Sequence, residues 1–315
     1  IFPHPARLKA LGLFGKAYQR SGLQRAVRAS GVLPAKLAET ERLMPAVSLE
    51  AFEAPPDGWF RSKQRKYRVG LLSGCIMSIA FAGVDRATVR VLNRNGCDVF
   101  VAPAQTCCGA LHAHDGDRET ARELARRNVD AFGREQLTAV IMNAAGCGAM
   151  MKDYGELLHD DAAYAERAAA FSSRVKDVTE FLVSIEFDRD FGRLDRTVTF
   201  QDPCHLAHGQ RIREAPRTLL RAIPGLRLVE MRDSDRCCGS AGIYNITQPE
   251  LSRRFMAEKA QSAAETGADV VVSANPGCII QVEAGLRQRG SQIAVKHIVE
   301  ILDEAYQLGE RVHAN

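Results

Sequence analysis

The chain is poor in aromatic residues, 6% in all with a single Trp, and it carries little net charge, 42 Lys and Arg standing against 38 Asp and Glu for +4. Near-balanced charge, with no basic and aromatic residues interleaved, gives no nucleic-acid footprint. Long apolar runs are missing as well. The most apolar stretch, Gly70 to Val84, is broken by Ser73 and Ser78 and falls short of the roughly 18 consecutive apolar residues of a spanning helix. Residues 1–31 hold no continuous apolar h-region, so no secretory signal is read there. The chain opens at Ile1 rather than Met, which reads as a fragment or a processed product. Phosphate-binding loops are absent too: no G-x-x-x-x-G-K-[ST] occurs, and Gly239 to Gly242 is too short for G-x-G-x-x-G. What is present, 46% hydrophobic and 25% charged residues in 315, is the composition of a globular protein long enough for two ordinary domains.

The cysteines carry the information. There are nine: Cys75, Cys97, Cys107, Cys108, Cys147, Cys204, Cys237, Cys238 and Cys278. An odd count without a secretory signal argues against a disulfide framework. In the pairs Cys107-Cys108 and Cys237-Cys238 the Cα atoms lie about 3.8 Å apart, closer than the roughly 4.4 Å usual for disulfides. Thiolates gathered for a metal are the simpler reading. Spacing strengthens it, because Cys204, Cys237 and Cys278 follow Cys75, Cys107 and Cys147 at 129, 130 and 131 residues. This is an internal duplication. Cys97 stands outside it and reads as a small buried hydrophobe at the start of a strand.

Each repeat spells an alternation of strands and helices. In the first, strands are read at Tyr67–Leu72, Asp98–Ala102 and Leu137–Met142, with helices at Val84–Asn93 and Arg118–Phe132, the latter capped by Asp117. In the second, strands are read at Thr197–Gln201, Leu226–Met231 and Asp269–Ser273, with helices at Arg213–Ile223 and from a Thr247/Glu250 capping box to about Glu265. The expected fold is α/β, two pseudo-symmetric Rossmann-like cysteine-rich repeats with parallel strands plus a helical N-terminal arm. The expected boundaries are residues 1–66 for the arm and linker, 67–195 for the first repeat, and 196–315 for the second repeat with a C-terminal helix. Every cysteine of the duplication follows the carboxyl end of a strand, which puts four thiols on one rim in each repeat. Neighbouring cysteines converge only in a loop, where Gly109 and Gly239 supply permissive backbone.

Four thiolates suit an iron–sulfur cluster or a tetrahedral zinc. Zinc sites usually use close C-x2-4-C pairs, which this chain lacks, so iron–sulfur is the preferred expectation. The run C-x2-C-x2-C-x3-C of bacterial ferredoxins is also missing. Spacing alone therefore stops at two unusual four-cysteine metal sites.

The local words go further. Cys107-Cys108-Gly109 and Cys237-Cys238-Gly239, each flanked by distant single cysteines, resemble the CCG cysteine-rich domain of heterodisulfide-reductase-type iron–sulfur proteins. Asn143-Ala144-Ala145-Gly146-Cys147-Gly148, Asp153-Tyr154-Gly155, Gln201-Asp202-Pro203-Cys204-His205-Leu206 with His208-Gly209-Gln210, Cys237 to Gly242, and Asn275-Pro276-Gly277-Cys278 resemble the family of glycolate oxidase iron–sulfur subunits over about residues 67–305. The resemblance implies a non-flavin oxidoreductase subunit that carries electrons from an FAD subunit oxidising glycolate or a related 2-hydroxy acid toward quinone. The isolated chain is then expected to be inactive on the hydroxy acid. The metal ligands would be the eight duplicated cysteines, the backbone N–H groups of Gly109 and Gly239 would donate to sulfur, and no catalytic residue is expected. The partners implied are the FAD subunit and a further flavin-binding-type subunit, in the cytoplasm or at the inner face of the membrane.

Two departures accompany the resemblance. Family members usually begin with a ferredoxin-like segment, which this sequence does not show. The heterodisulfide-reductase form ends in CxxC, whereas Met150 and Gln281 stand at the matching places. With no fifth cysteine, the expectation shifts from a non-cubane cluster to a 4Fe-4S type, nuclearity left open. The rival readings are a heterodisulfide-reductase-like or lactate-utilisation subunit, and a zinc-stabilised partner-binding module.

His112, His114, His205 and His208 flank cysteines and are read as orienting hydrogen-bond partners rather than ligands. His297 is read as packing within a C-terminal helix beside Ile298 and Ile301. Residues 1–68 hold 13 Lys or Arg against 5 Asp or Glu. The cluster Arg61, Lys63, Arg65, Lys66 and Arg68 is read as a solvated linker, with acidic lipid or a partner as alternatives. Short amphipathic helices over Arg7–Leu43 are expected to pack on a missing N-terminal domain or the flavin subunit, or else to make peripheral membrane contact. Pro45–Trp59 reads as a linker.

Overall fold

A computed structural model describes residues 5–48 and 51–313, and the parts of the arm and linker expectations that fall on residues 1–4 and 49–50 lie outside it. Each repeat builds its own sheet. The first contains β1 (Trp59–Phe60), β2 (Tyr67–Leu71), β3 (Cys97–Phe100), β4 (Ala139–Met142) and β5 (Val175–Asp177), in the order β1-β3-β2-β4-β5. The second contains β6 (Arg196–Phe200), β7 (Leu226–Leu228), β8 (Val270–Ser273) and β9 (Ala294–His297), in the order β7-β6-β8-β9. Apart from β1, antiparallel to β3, all pairings are parallel. The order β3-β2-β4-β5 is repeated by β7-β6-β8-β9, so the duplication seen in the cysteines is a duplication of topology.

The central strands are buried on both faces because helices cover both: β4 and β8, Ala-Val-Ile-Met and Val-Val-Val-Ser, are buried throughout. The C-terminal helix of the second repeat, Ile298–His313, lies on the Ala82–Arg94 helix of the first. One buried cluster runs from Val69 and Leu71 through Val198 and Phe200 to Ile298 and Tyr306, joining the two repeats. Arg90 reaches Asp303 with two hydrogen bonds, at 2.9 and 2.6 Å, across the same boundary.

Several expectations need correction. Thr247 does not cap the long helix. It ends a short helix, Tyr244–Thr247, and the long one starts at Pro249 behind Gln248, which makes no side-chain cap. Proline preset for the first helical position decides the start there. The capping box that does form is Asp177 with Glu180. His297 is the last residue of β9 rather than part of the final helix. The stretch before β1 is no free linker, since Ser48 and Phe52 donate backbone hydrogen bonds to Ile79 and Ser78 of the first repeat. The basic cluster is partly engaged, with Arg61 and Arg68 over the Trp59 ring and Arg68 paired to Glu135 at 2.8 Å. The arm helices Pro5–Arg20, Leu23–Ser30 and Ala35–Arg42 touch both repeats. Leu8 is buried, Lys9 pairs with Glu53, Glu39 with Arg253, and Arg287 donates to the Arg42 carbonyl. Leu13 and Phe14 face outward, 68% and 75% exposed. Among the described residues no helix is long and apolar enough to cross a membrane.

Candidate thiol sites at the two sheet rims

All nine cysteines are free thiols. Cys97 is buried at the head of β3, and burial pushes its thiol up to about 12, the behaviour of an inert core residue. The other eight gather in two sets, each at the carboxyl end of its sheet. Cys75 follows β2 and Cys204 follows β6, while the Cys-Cys-Gly loops follow β3 and β7. Cys147 and Cys278 are each the third residue of a helix that starts just after β4 or β8, where free N–H groups and the helix dipole favour negative charge on sulfur.

The loops double back because Gly109 and Gly239 take φ of +84° and +90°, a region that residues with a Cβ reach only at a cost. Space enforces it: a Cβ on Gly239 would sit 2.4 Å from the Ser252 carbonyl oxygen, and one on Gly109 would sit 3.3 Å from Ala121. The turned backbone aims N–H groups at sulfur. Gly239 donates to Cys237 Sγ at 3.3 Å, and Gly109 donates to the Cys107 sulfur.

Within each set the thiols form the same string. In the first, Cys107 neighbours Cys75 and Cys108, and Cys108 neighbours Cys147, the Cys107 thiol donating to Cys75 Sγ at 3.9 Å. In the second, Cys237 neighbours Cys204 and Cys238, and Cys238 neighbours Cys278, the Cys238 thiol donating to Cys278 Sγ at 3.3 Å. Among the described residues no three His, Cys, Asp or Glu side chains are gathered closely enough to grip a single metal ion. Each string concentrates anionic character on one sulfur. The adjoining Cys108 and Cys75 thiols hold the Cys107 thiol far below the usual range, and Cys204 and Cys238 do the same for Cys237. These neighbours are pushed the other way, Cys75 and Cys108 by Cys107, and Cys204 and Cys238 by Cys237. Cys107, Cys108, Cys238 and Cys278 are buried, the remaining four half-buried. Soft sulfur donors without a carboxylate among them fit a thiophilic group such as an iron–sulfur cluster. Cys75 and Cys107 also line a cavity of about 450 Å³ between the first repeat and residues 51–56.

The histidines are neighbours of the strings. His205 Nδ1 lies 3.9 Å from Cys204 Sγ, its ring 5.3 Å from that of His114, so the two rims meet at this pair. His112 Nδ1 is buried without a hydrogen-bond partner. His208 turns to the Asp235 carbonyl at 3.2 Å. The rims are tied further by Gly146 N–H to Asn275 Oδ1 at 3.2 Å, Ala145 N–H to the Ala274 carbonyl at 3.0 Å, and Gln210 to the Ala145 carbonyl at 2.9 Å.

Comparison with known proteins follows the same division. The CCG cysteine-rich domain family matches residues 69–152 and again 198–283. The linker region of the glycolate oxidase iron-sulfur subunit matches residues 1–44. A probable glycolate oxidase iron-sulfur subunit of Bacillus subtilis is 41% identical over 314 residues, covering 97% of this chain and 70% of that one. This chain belongs to the family of glycolate oxidase iron–sulfur subunits. The glycolate oxidase iron-sulfur subunit of Escherichia coli is 33% identical across 98% of the chain and 70% of its own length. Lactate utilization protein A of Shouchella clausii is 31% identical over 75% of the chain and 98% of its own. A hypothetical protein from Helicobacter pylori shares the fold, with a TM-score of 0.57 at 11% identity over 90% of this chain and 56% of that one.

Sequence reasoning named the eight thiols and both glycines that the rims bring together. It quoted Asn275 and Tyr154 only as motif residues, without the Asn275 amide's hydrogen bond to Cys278 Sγ at 3.4 Å or that of Tyr154 to the Cys108 carbonyl, and it missed Asn128, which donates to the Cys107 carbonyl, and Lys259. Nothing in a lone helical Asn or Lys announces such a role. The signal that could have found Lys259 is the duplication, whose offset of 131 between Cys147 and Cys278 also carries Asn128 to Lys259.

Proposed function

We propose that this chain is the iron–sulfur electron-transfer subunit of a glycolate-type 2-hydroxy acid dehydrogenase, holding one 4Fe-4S type cluster at Cys75, Cys107, Cys108 and Cys147 and a second at Cys204, Cys237, Cys238 and Cys278. The observation that carries this is the repetition of the same four-cysteine set at the same rim of two sheets of the same topology. A bound cluster supplies a one-electron acceptor where the flavin of a partner releases two electrons.

The protein's own residues do the rest. Cys107, Cys108, Cys238 and Cys278 sit out of water, and the Gly109 and Gly239 N–H groups stabilise charge that accumulates on sulfur. The Ala145–Ala274 backbone bond and the Gly146–Asn275 and Gln210–Ala145 hydrogen bonds hold the two rims against each other. The hydroxy acid is oxidised on the FAD subunit, and the isolated chain is inactive toward it. Electrons leave toward quinone, with a further flavin-binding-type subunit completing the complex. The work is done in the cytoplasm, where the basic arm, with Leu13 and Phe14 outward, is available to the inner membrane face.

Anaerobic purification, followed by iron, sulfide and zinc analysis and a spectrum before and after dithionite, tests the reading. Brown protein containing iron and sulfide and bleached by dithionite is expected. In the assembled complex, Cys107→Ser and Cys237→Ser should each remove part of the absorbance and abolish quinone reduction, while flavin reduction by the hydroxy acid survives. Stoichiometric zinc without iron, or quinone reduction unchanged in both variants, overturns it. Lactate as the fuel is favoured by the lactate utilization relatives and glycolate by the linker-region match over residues 1–44. Offering both acids to the complex decides between them.

A further inference from the structure

The two rims are electrostatically unlike. The helices behind the Cys-Cys-Gly loops, Arg118–Gly133 and Pro249–Glu265, are aligned by their inward faces. Ala121, Ala125, Asn128, Val129 and Phe132 are buried on one, and Ser252, Met256, Lys259, Ala260 and Ala263 on the other, a constant offset of 131 residues. The glycines mark the same register independently, since a Cβ on Gly109 would meet Ala121 and one on Gly239 would meet Ser252. Asn128 is thus answered by Lys259.

Asn128 is neutral. Its carboxamide accepts from the Thr106 N–H at 2.9 Å and donates to the Cys107 carbonyl and the Tyr154 hydroxyl, both at 3.1 Å, and Tyr154 donates on to the Cys108 carbonyl. In the second repeat Gly285 stands in the place of Tyr154, and Lys259, only 3% exposed, extends its ammonium group to the carbonyls of Asp233 and Ser234. Lys259 and Cys237 line one cavity of about 80 Å³, and against the burial that pulls the ammonium's pKa down stand the charges of Cys238, Cys278, Asp235 and Asp202. The carboxylates nearby are engaged elsewhere. Asp202 is held by both terminal nitrogens of Arg217, at 2.9 and 2.8 Å, and Asp235 by Arg213 at 2.8 Å. A buried ammonium bonded only to carbonyls is costly unless anionic charge stands close by, and the second thiol string is where that charge would be. Asn275, placed where the first repeat has Ala144, adds its hydrogen bond to Cys278 Sγ.

We propose that Lys259, helped by the Asn275 carboxamide, makes the second-repeat site the stronger electron acceptor of the two, giving the chain a built-in direction from the first repeat to the second. The inference rests on the reading that both strings hold clusters. Each electron added makes such a site more negative, so a fixed cation and a donated hydrogen bond stabilise its reduced form. A carboxamide at Asn128 offers a dipole only, and in a poorly solvated interior the difference is not screened away.

The test is a potentiometric titration of the iron-loaded chain followed by electron paramagnetic resonance, with iron and sulfide measured on every sample. Two one-electron waves are expected, the higher one lost in Cys237→Ser and the lower in Cys107→Ser. Lys259→Met should lower the electron-sharing constant between the sites at least tenfold, which is about 59 mV for a one-electron couple, by moving the higher wave alone. Lys259→Arg should keep it in place. Should Lys259→Met fail to retain iron, Asn275→Ala must still move the higher wave down and Asn128→Asp the lower one. A higher wave belonging to the first repeat, or waves unmoved in iron-replete Lys259→Met, overturns this inference and leaves the proposed function standing. Absence of iron from the wild-type chain removes both.

Discussion

At the scale of single residues, Asn143 is the point on which the first rim hangs. It ends the run from β4 into the helix bearing Cys147, donates to Asp85 at 2.8 Å and to Thr88 at 3.0 Å, and gives its carbonyl to His297 Nε2 at 2.7 Å. His297 accepts the Val299 N–H on Nδ1 at 3.2 Å, so its ring is used as a neutral donor and acceptor, and burial pushes its pKa down to about 4. Below about 6.5 an unfolded chain takes up this proton and the folded one does not, so stability present at pH 7 is lost as pH falls toward 4. Asp85 acts oppositely. Burial lifts its carboxyl to about 6 despite hydrogen bonds from Ser73 and Asn143. Its folded form is therefore favoured at low pH, and that advantage is lost as pH rises from about 4 through 6. Each effect is worth up to about 3 kcal/mol, and the two oppose each other in one window. Urea unfolding at pH 7 and pH 4.5 should show His297→Gln losing less stability on acidification than wild type and Asp85→Asn losing more. Parallel loss in all three would refute this account. Such a coupling is illegible in sequence, where His297 and Asp85 are 212 residues apart. The thiols were legible because strand-helix alternation leaves them nowhere to go but the rim.

At the scale of elements, the strongly apolar strands and long amphipathic helices were readable, and the short ones were not. β5, Val-Lys-Asp, and β9, Ala-Val-Lys-His, carry charge and few side chains to pack, so periodicity has too little to act on. β1 is two residues long and owes its place to pairing with β3. The Cys-Cys-Gly loops are the elements on which the sites depend most, and their glycines differ in tolerance. Alanine at either position meets the left-handed penalty of about 1–2 kcal/mol. Only at Gly239 does the new methyl also collide with backbone, at 2.4 Å from the Ser252 oxygen against 3.3 Å for the Gly109 counterpart. Gly109→Ala should therefore fold with a modest loss in midpoint and keep most of its iron. Gly239→Ala should displace its loop from the Pro249–Glu265 helix and lose iron from the second site. Equal iron retention in the two variants would show that the cradle behind Gly239 yields more easily than its backbone contact implies.

At the scale of the whole molecule, the repeats read as separate units in the sequence, yet the larger of the two buried clusters spans both, the smaller lying within the second repeat. The boundary between them is crossed by Arg90–Asp303, by the bond of Arg94 to Glu310 at 3.2 Å, and by Tyr306, whose hydroxyl donates to the Asp188 carbonyl and accepts from Asn95. Tyr306 also stacks on Phe191 at 4.4 Å. The Ile298–His313 helix thus belongs to the second repeat by chain order and to the first by packing, an exchange that local periodicity cannot disclose. Trp59, the single Trp, lies in β1 at the edge of the first sheet, so its fluorescence reports on the first repeat while far-ultraviolet dichroism reports on both. If the shared core makes the molecule one cooperative unit, the two signals should give coincident urea midpoints in the intact chain. Deleting residues 298–315 removes the buried Ile298, Val299, Ile301 and Leu302 and uncovers their partners on the Ala82–Arg94 helix. At about 2–5 kcal/mol for each large side chain lost from a packed core, that exceeds the margin of an ordinary domain. The Trp59 transition should then move to far lower urea or vanish, although Trp59 is nowhere near the deletion in sequence. A Trp59 midpoint unmoved by the truncation would mean that the first repeat stands alone and that the second merely leans on it.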